Sequence, residues 1–394
     1  MANKQREFDL VVWGATGFTG MLVAEYLSRR HGSTGDLHWA TAGRSADKLS
    51  SVHGQLGLAT DTPSIVADAD DVKSLQSLVG RTRVIISTVG PYQRYGSELV
   101  AACAKSGTDY VDLCGEPGWM HDMINAHEED AKASGARLVF SCGFDSVPFD
   151  LGVFYLQQLA LERTGKPAQR VRGRVRNMRG TFSGGTAASF RATVQAATAN
   201  PSLGKLLINP FALTPTGGGP KQPSGMKPHF DEAVGSWVAP FVMAVINTKN
   251  IHRSNALLGY RYGRDFVYDE MLMTGTGEIG EQRALAMAKD NSIAESDRKP
   301  GEGPSQAERE SGFFDVVFIG DTYDGDTVRV SVRGDRDPGY GSTSKMIAEA
   351  ALCLLDHHDQ PSGGFWTPAP AFGDRLISRL QDNAGVTFHI EADP

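Results

Sequence analysis

Residues 8–20 read Phe8-Asp9-Leu10-Val11-Val12-Trp13-Gly14-Ala15-Thr16-Gly17-Phe18-Thr19-Gly20. The first six form an apolar run of strand length. The run MLVAEYLSRRHG (21–32) has Leu22, Val23, Tyr26 and Leu27 at helical spacing and closes in basic residues and Gly32, as a helix C-terminus does. Three glycines placed between a strand and a helix have separate mechanical uses: Gly14 makes the tight turn, Gly17 lets backbone approach a pyrophosphate, and Gly20 lets helix and strand pack. The helix N-terminus then offers free N–H groups and positive potential to phosphates. The stretch predicts a dinucleotide-binding unit in which Gly14, Ala15, Thr16, Gly17, Phe18, Thr19 and Gly20 surround the cofactor.

Working outward, LHWATAGR, PSIVAD, RVIISTVG, TDYVDLCG and ARLVFSCG read as five further buried strands. DDVKSLQSLVG, GSELVAACAKSG and HDMINAHEEDAKASG between them carry helical spacing and end in Gly. Together they predict a Rossmann-type α/β domain with a doubly wound parallel sheet of about six strands. Beyond Phe149 the pattern changes. QRVRGRVRNMRGTF, FFDVVFIGD and DTVRVSVRGD alternate polar with apolar residues, which predicts a second, mixed α/β domain built on a largely antiparallel sheet. The Gly/Pro cluster at 214–230 and the polar stretch at 295–310 read as exposed loops or lids. A chain of 394 residues agrees with two domains, since single cores stop growing near ~250–300 residues.

The composition is that of an ordinary globular chain, apart from 45 glycines, above the usual share of ~7%, which fits many tight turns and close backbone approaches. The formal charge of −7 argues against nucleic acid as a partner. Cys103, Cys114, Cys142 and Cys353 show neither CxxC spacing nor a disulfide framework, so reduced thiols, a cytoplasmic location and no metal are expected. No apolar run reaches the ~18 residues of a membrane span, which leaves peripheral lipid contact open. His357 and His358 read as helix C-terminal dipole partners.

Which dinucleotide is bound is decided after the second strand, at Ala42-Gly43-Arg44-Ser45. Arg44 offers a donor fork matched to phosphate, Ser45 a hydroxyl and Lys48 a further charge, with no carboxylate at the tip, so NADP(H) is the expected cofactor. Asp68 ends the third strand where the adenine would lie. Thr88, Val89, Gly90 and Pro91 end the fourth beside the expected nicotinamide ribose.

GATGFTG, the AGR after the second strand, STVGPYQRYGSELVAACAKSGTDYVDLCGEP and SCGFDSVPFDLG together resemble the saccharopine-dehydrogenase-like oxidoreductases. Within them SGGTAAS (183–189), NTKNIHRSNALLGYRYGRDFVYDE (247–270), PGEGPS (300–305), DPGYGST (337–343) and GGFWTPA (363–369) are similar to the trans-acting enoyl reductases of actinobacterial polyketide-lipid synthesis. The resemblance runs over nearly the whole chain in the same order. It implies a Rossmann domain (1–149), an inserted substrate and dimerisation domain (150–338), and a C-terminal helix and strand (339–394) returning to the first domain. It also implies NADPH as hydride donor to the double bond of an acyl or polyketide thioester, free or carrier-bound, in lipid biosynthesis, and a homodimer. One segment departs: MLMTGTGEIGEQRALAMAKDNSIAESDRK is short and polar where those relatives have a long apolar stretch.

Enoyl reduction needs hydrogen bonds to the developing enolate oxygen and an acid for the α carbon. Tyr92 and Tyr95 follow Gly90-Pro91 at a strand end and are candidate acids, with Arg94 placed to hold a carbonyl or a carrier phosphate. Asp145, beside Cys142 and Ser146 in SCGFDSVP, is a candidate for proton transfer or for capping the helix after Pro148. Tyr260, Tyr262 and Arg264 read as lining a substrate mouth, and Arg170, Arg172, Arg174 and Arg176 as a strand face open to solvent or to an acyl carrier. Two other readings stand beside this one: a saccharopine-type C–N dehydrogenase, and a non-catalytic NADP-binding partner of an acyl synthase.

Overall fold

Every strand expected before residue 150 forms in the computed structural model, which describes residues 6–32, 36–295, 297–299, 301–356 and 360–392. His357 and His358 lie outside the described residues. The strands are β1 (Phe8–Trp13), β2 (Trp39–Gly43), β3 (Ser64–Val66), β4 (Thr82–Ser87), β5 (Asp109–Asp112) and β6 (Arg137–Val139). They pair in parallel in the order β6-β5-β4-β1-β2-β3. Successive residues of a strand point to opposite faces, and here both faces are apolar. Leu10 and Val12 enter one core while Val11 and Trp13 enter the other, so helices cover the sheet on both sides. The strand order reverses between β1 and β4, which opens a crevice at their C-terminal ends.

The second sheet contains β7 (Ala168–Arg179), β8 (His229–Asp231), β9 (Ser236–Pro240), β10 (Val267–Gly275), β11 (Phe313–Thr322) and β12 (Thr327–Gly334). It is mixed: β7 and β10 run parallel, and the other pairings are antiparallel. Helix Val147–Thr164 packs on one face through Phe149, which meets Phe318, and through Gly152, where a Cβ would lie 2.3 Å from the Phe318 ring. Only glycine permits that approach.

The arginines of β7 do not form an open basic face. Arg170 meets Asp269, Arg172 meets Asp321, Arg174 meets Asp231 and Asp269, and Arg176 meets Asp315 and Glu391. The acidic partners sit on the adjacent strands β10 and β11 and, for Asp231 and Glu391, on strands farther out in the same sheet, so the charges cancel within the sheet. The second domain is also richer in helix than its alternating runs suggest, with helices Gly184–Ala199, Pro201–Ile208, Ala244–Leu257 and Gly277–Met287. Within the stretch read as a loop at 295–310 a helix begins at Gln306, started by a capping box between Ser305 and Glu308.

After residue 338 the chain divides between the sheets. Helix Thr343–Leu355 packs on helix Phe18–His31 and behind β4, and β13 (Gly364–Trp366) extends the first sheet beside β6. The last strand, β14 (Val386–Glu391), goes the other way and pairs with β12. Val386 and Phe388 are buried there, with Phe388 against Tyr155, so the end of the chain completes the outer edge of the second sheet. Among the described residues no helix is long and apolar enough to cross a membrane.

Candidate active site

The glycine turn closes as its spacing requires. Gly14 has φ 89°, and a Cβ there would stand 2.6 Å from Val89 Cγ2 and 2.8 Å from Thr88 Oγ1. At Gly20 a Cβ would lie 2.1 Å from the Gly14 carbonyl oxygen, so no side chain fits between helix and turn. Thr88 Oγ1 donates to Trp13 O at 3.1 Å and ties the end of β4 to the turn. Helix Phe18–His31 begins at Gly17 with no side-chain cap and no acid in its first turn, which leaves its N-terminus open to an anion.

Gly14, Thr16, Gly17, Phe18, Thr19, Arg44, Asp68, Thr88, Val89, Gly90 and Pro91 all line one cavity of about 2010 Å³. Ala15 is buried beneath the turn and Gly20 serves packing. Arg44 is exposed at the lip and has no partner among the described residues, so its fork is open to a phosphate. Ser45 and Lys48 are not in that wall: the Ser45 hydroxyl accepts from the Lys48 backbone N–H at 3.3 Å and caps the next helix.

The cavity runs from this turn into the second domain, and Tyr92, Arg94, Tyr95 and Asp145 border it. Their placement differs. The Tyr92 hydroxyl donates to Ser87 O and accepts from Leu113 N, both at 3.1 Å, so it is held inside the protein wall, and burial pushes its pKa well up. Glu116 holds the same turn by accepting from the N–H groups of Tyr92 and Gln93. Tyr95 is 37% exposed and its hydroxyl has no partner among the described residues. Asp145 does not cap the helix that follows, whose N-cap Ser146 makes no side-chain cap and instead accepts from Asn250 Nδ2 at 2.7 Å. Its carboxyl faces the cavity, and burial pushes its pKa up to about 7. Cys114 and Cys142 are buried thiols with pKa values pushed up by burial, which suits packing rather than nucleophilic chemistry.

Residues 10–139 match the saccharopine dehydrogenase NADP binding domain. A Mycobacterium tuberculosis protein named provisionally as a trans-acting enoyl reductase is 39% identical, over 98% of this chain and 98% of its own. The trans-acting enoyl reductase of Mycobacterium ulcerans is 36% identical, with 98% of each chain covered. The chain belongs to the trans-acting enoyl reductase family. Saccharopine dehydrogenase (L-Glu forming) of Saccharomyces cerevisiae shares the fold, with TM-score 0.56 and 13% identity over 98% of this chain and 100% of that one. The protein is an NADP-dependent oxidoreductase, and the fit of the turn and of Arg44 agrees with that cofactor.

This oxidoreductase also brings to its cavity residues to which the sequence reading gave no role. Tyr340 is 4% exposed, lines the wall, and packs edge-on against Phe18 of the glycine turn at 5.2 Å between ring centroids. Ser183, Thr186 and Thr343 line the wall with it. Toward the second domain, Lys249 donates to the carbonyls of Leu207 and Val245, and burial lowers its pKa to about 8. Glu270 accepts from Asn247 and Tyr268, and burial raises its pKa to about 8. Tyr260, Tyr262 and Arg264 do not reach the wall: Tyr262 is buried, and the Arg264 guanidinium sits over the Tyr260 ring at 4.1 Å.

Proposed function

We propose that the protein uses NADPH to reduce the carbon–carbon double bond of an acyl or polyketide enoyl thioester. The observation that carries the reading is Asp145, a half-buried carboxyl with a pKa near 7 bordering a large cavity beside the strand ends that border the cofactor turn. When bound, NADPH supplies the hydride. The residues expected to hold it are Gly14 to Thr19 and Thr88 to Pro91, with Arg44 on the 2′-phosphate and Asp68 toward the adenine. With a pKa raised to about 7, about half of the Asp145 carboxyls carry a proton at pH 7, and Asp145 borders the cavity, so it can protonate the α carbon. Tyr95 keeps a free hydroxyl at the mouth, which suits contact with the thioester or its carrier arm, whereas the Tyr92 hydroxyl is already spent on two backbone groups.

A C–N dehydrogenase acting on an amino dicarboxylate would need cations along the cavity. Arg170, Arg172, Arg174 and Arg176 are outside its wall and bound to carboxylates, so the arginines of β7 do not supply them; the cations on the wall beyond Arg44 are Arg94, Arg191, Lys221 and Lys249. The test is NADPH consumption with crotonyl-CoA and 2-dodecenoyl-CoA, against reductive amination of 2-oxoglutarate with lysine. Turnover of the enoyl thioesters alone is expected. Turnover of the amino-acid pair alone overturns the reading, and NADPH binding without turnover of either makes the protein a binding partner.

A further inference from the structure

We propose that Tyr340, backed by Thr186, is the hydrogen-bond donor that holds the thioester oxygen during reduction. This rests on the enoyl-reduction reading above. The two segments concerned, SGGTAAS (183–189) and DPGYGST (337–343), are far apart in sequence and meet at the cavity wall.

The donor count decides the role. A tyrosine hydroxyl has one proton to give and two lone pairs to receive. Tyr340 Oη accepts from the Ser183 backbone N–H and lies 2.7 Å from Thr186 Oγ1. Thr186 Oγ1 in turn lies 3.4 Å from Ser183 Oγ, and Ser183 Oγ accepts from the Thr186 backbone N–H. A consistent direction runs Ser183 Oγ–H to Thr186 Oγ, Thr186 Oγ–H to Tyr340 Oη. Both Tyr340 lone pairs are then filled and its own proton is left for a group in the cavity. The Tyr340 backbone is fixed because Asp337 accepts from the N–H groups of Tyr340 and Gly341 at 3.0 and 2.7 Å. Such a rigid donor needs no reorganisation when charge develops.

Its neighbours place it at the cofactor end. The ring abuts Phe18 of the glycine turn, and Ser189 of helix Gly184–Ala199, the helix that carries Thr186, comes close to Gly90 at the end of β4. Burial, with the nearby Asp145 charge, raises the Tyr340 pKa, so it stays a neutral donor at physiological pH.

The step balances as follows. The hydride supplied by the C4–H bond of NADPH, which breaks as NADPH is oxidised to NADP+, forms a new C–H bond at the β carbon, the C=C π pair shifts to Cα–C, and the carbonyl π pair moves onto oxygen, where Tyr340 Oη–H donates to it. The Asp145 carboxylic acid then gives its proton to the α carbon and the C=O bond re-forms. Asp145 is left as a carboxylate and takes a proton from water in the cavity. Tyr340 keeps its proton throughout.

The experiment compares full-length wild type, Tyr340→Phe and Thr186→Val with NADPH and crotonyl-CoA or 2-dodecenoyl-CoA. Phenylalanine keeps the ring against Phe18. Tyr340→Phe is expected to lower kcat by about 10²–10³, the effect of removing one oxyanion donor, with NADPH affinity and the pH dependence from Asp145 unchanged. Thr186→Val is expected to cost roughly five- to tenfold, as for one lost neutral hydrogen bond. Wild-type kcat in Tyr340→Phe overturns the inference, and so does a loss of activity matched by a loss of NADPH binding, which would make Tyr340 a packing residue. If Tyr340→Phe fails to fold, full kcat in Thr186→Val overturns it. A wild type inert toward both thioesters instead defeats the enoyl-reduction reading itself.

Discussion

Replacing Asp145 by Asn removes the one proton on which the proposed chemistry depends while keeping the shape of the side chain. Burial raises the pKa of this carboxyl to about 7, so its acid form is present below that pH and lost above it. With that value the protonated fraction is about 0.9 at pH 6 and about 0.1 at pH 8, so kcat of the wild type is expected to fall about tenfold between them. Asp145→Asn is expected to lose 10²–10⁴ in kcat and the pH dependence with it, because the amide has no proton to transfer. The same shift acts on stability. The raised pKa means that stability is lost as pH rises from the ordinary carboxylate range through about 7, so the gain in melting temperature of the Asn variant over wild type should be larger at pH 8–9 than near pH 5. The assay is the initial rate of NADPH absorbance loss with crotonyl-CoA over pH 5.5–9, beside thermal melts at the two ends. Wild-type kcat in Asp145→Asn, or the same falling limb surviving in it, refutes Asp145 as the acid.

Arg44→Ala removes charge-assisted hydrogen bonds worth ~1.5–3 kcal/mol, so fluorescence titration should show NADPH affinity weakened roughly ten- to hundredfold with NADH affinity unchanged. Equal losses for both would show that Arg44 does not meet the 2′-phosphate. Tyr92→Phe should retain kcat and lose ~1–3 kcal/mol of stability in urea melts, because Leu113 N and Ser87 O lose their partner; a collapse of kcat at full stability would return Tyr92 to the chemistry. Burial raises the pKa of Glu270 to about 8, so stability is lost as pH rises from the ordinary carboxylate range to about 8. Glu270→Gln should therefore gain more melting temperature over wild type at pH 9 than at pH 5, and the same difference at both would remove ionisation as the cause.

What could be read from the chain depended on how local its physics is. β1, the glycine turn and helix Phe18–His31 are contiguous, and their period and glycine spacing are set within two dozen residues, so the cofactor end was legible. The segment 339–394 splits, with β13 beside β6 and β14 on the open side of β12, and nothing within VTFHIE itself marks which sheet edge it takes. Helix Ala244–Leu257 escaped the reading because it buries Asn247, Lys249, Asn250, His252, Arg253 and Asn255, which reverses the usual sign of an amphipathic pattern. Of these, Asn250 and Arg253 donate to distant partners, Ser146, Leu213 O and Phe365 O, which sequence does not display.

The same distance explains why the wall of the active site was half visible. Asp145 follows the end of β6, where open α/β sheets bind ligands, so topology alone nominated it. Tyr340 had no such marker, since its value depends on Ser183 and Thr186 filling its lone pairs from more than 150 residues away. A tyrosine with its lone pairs filled donates outward, whereas one bound like Tyr92, with its proton on Ser87 O, cannot. The two residues are identical in type and both border the cavity, and the direction proposed for the Tyr340–Thr186 hydrogen bond is what gives them opposite chemical capacity.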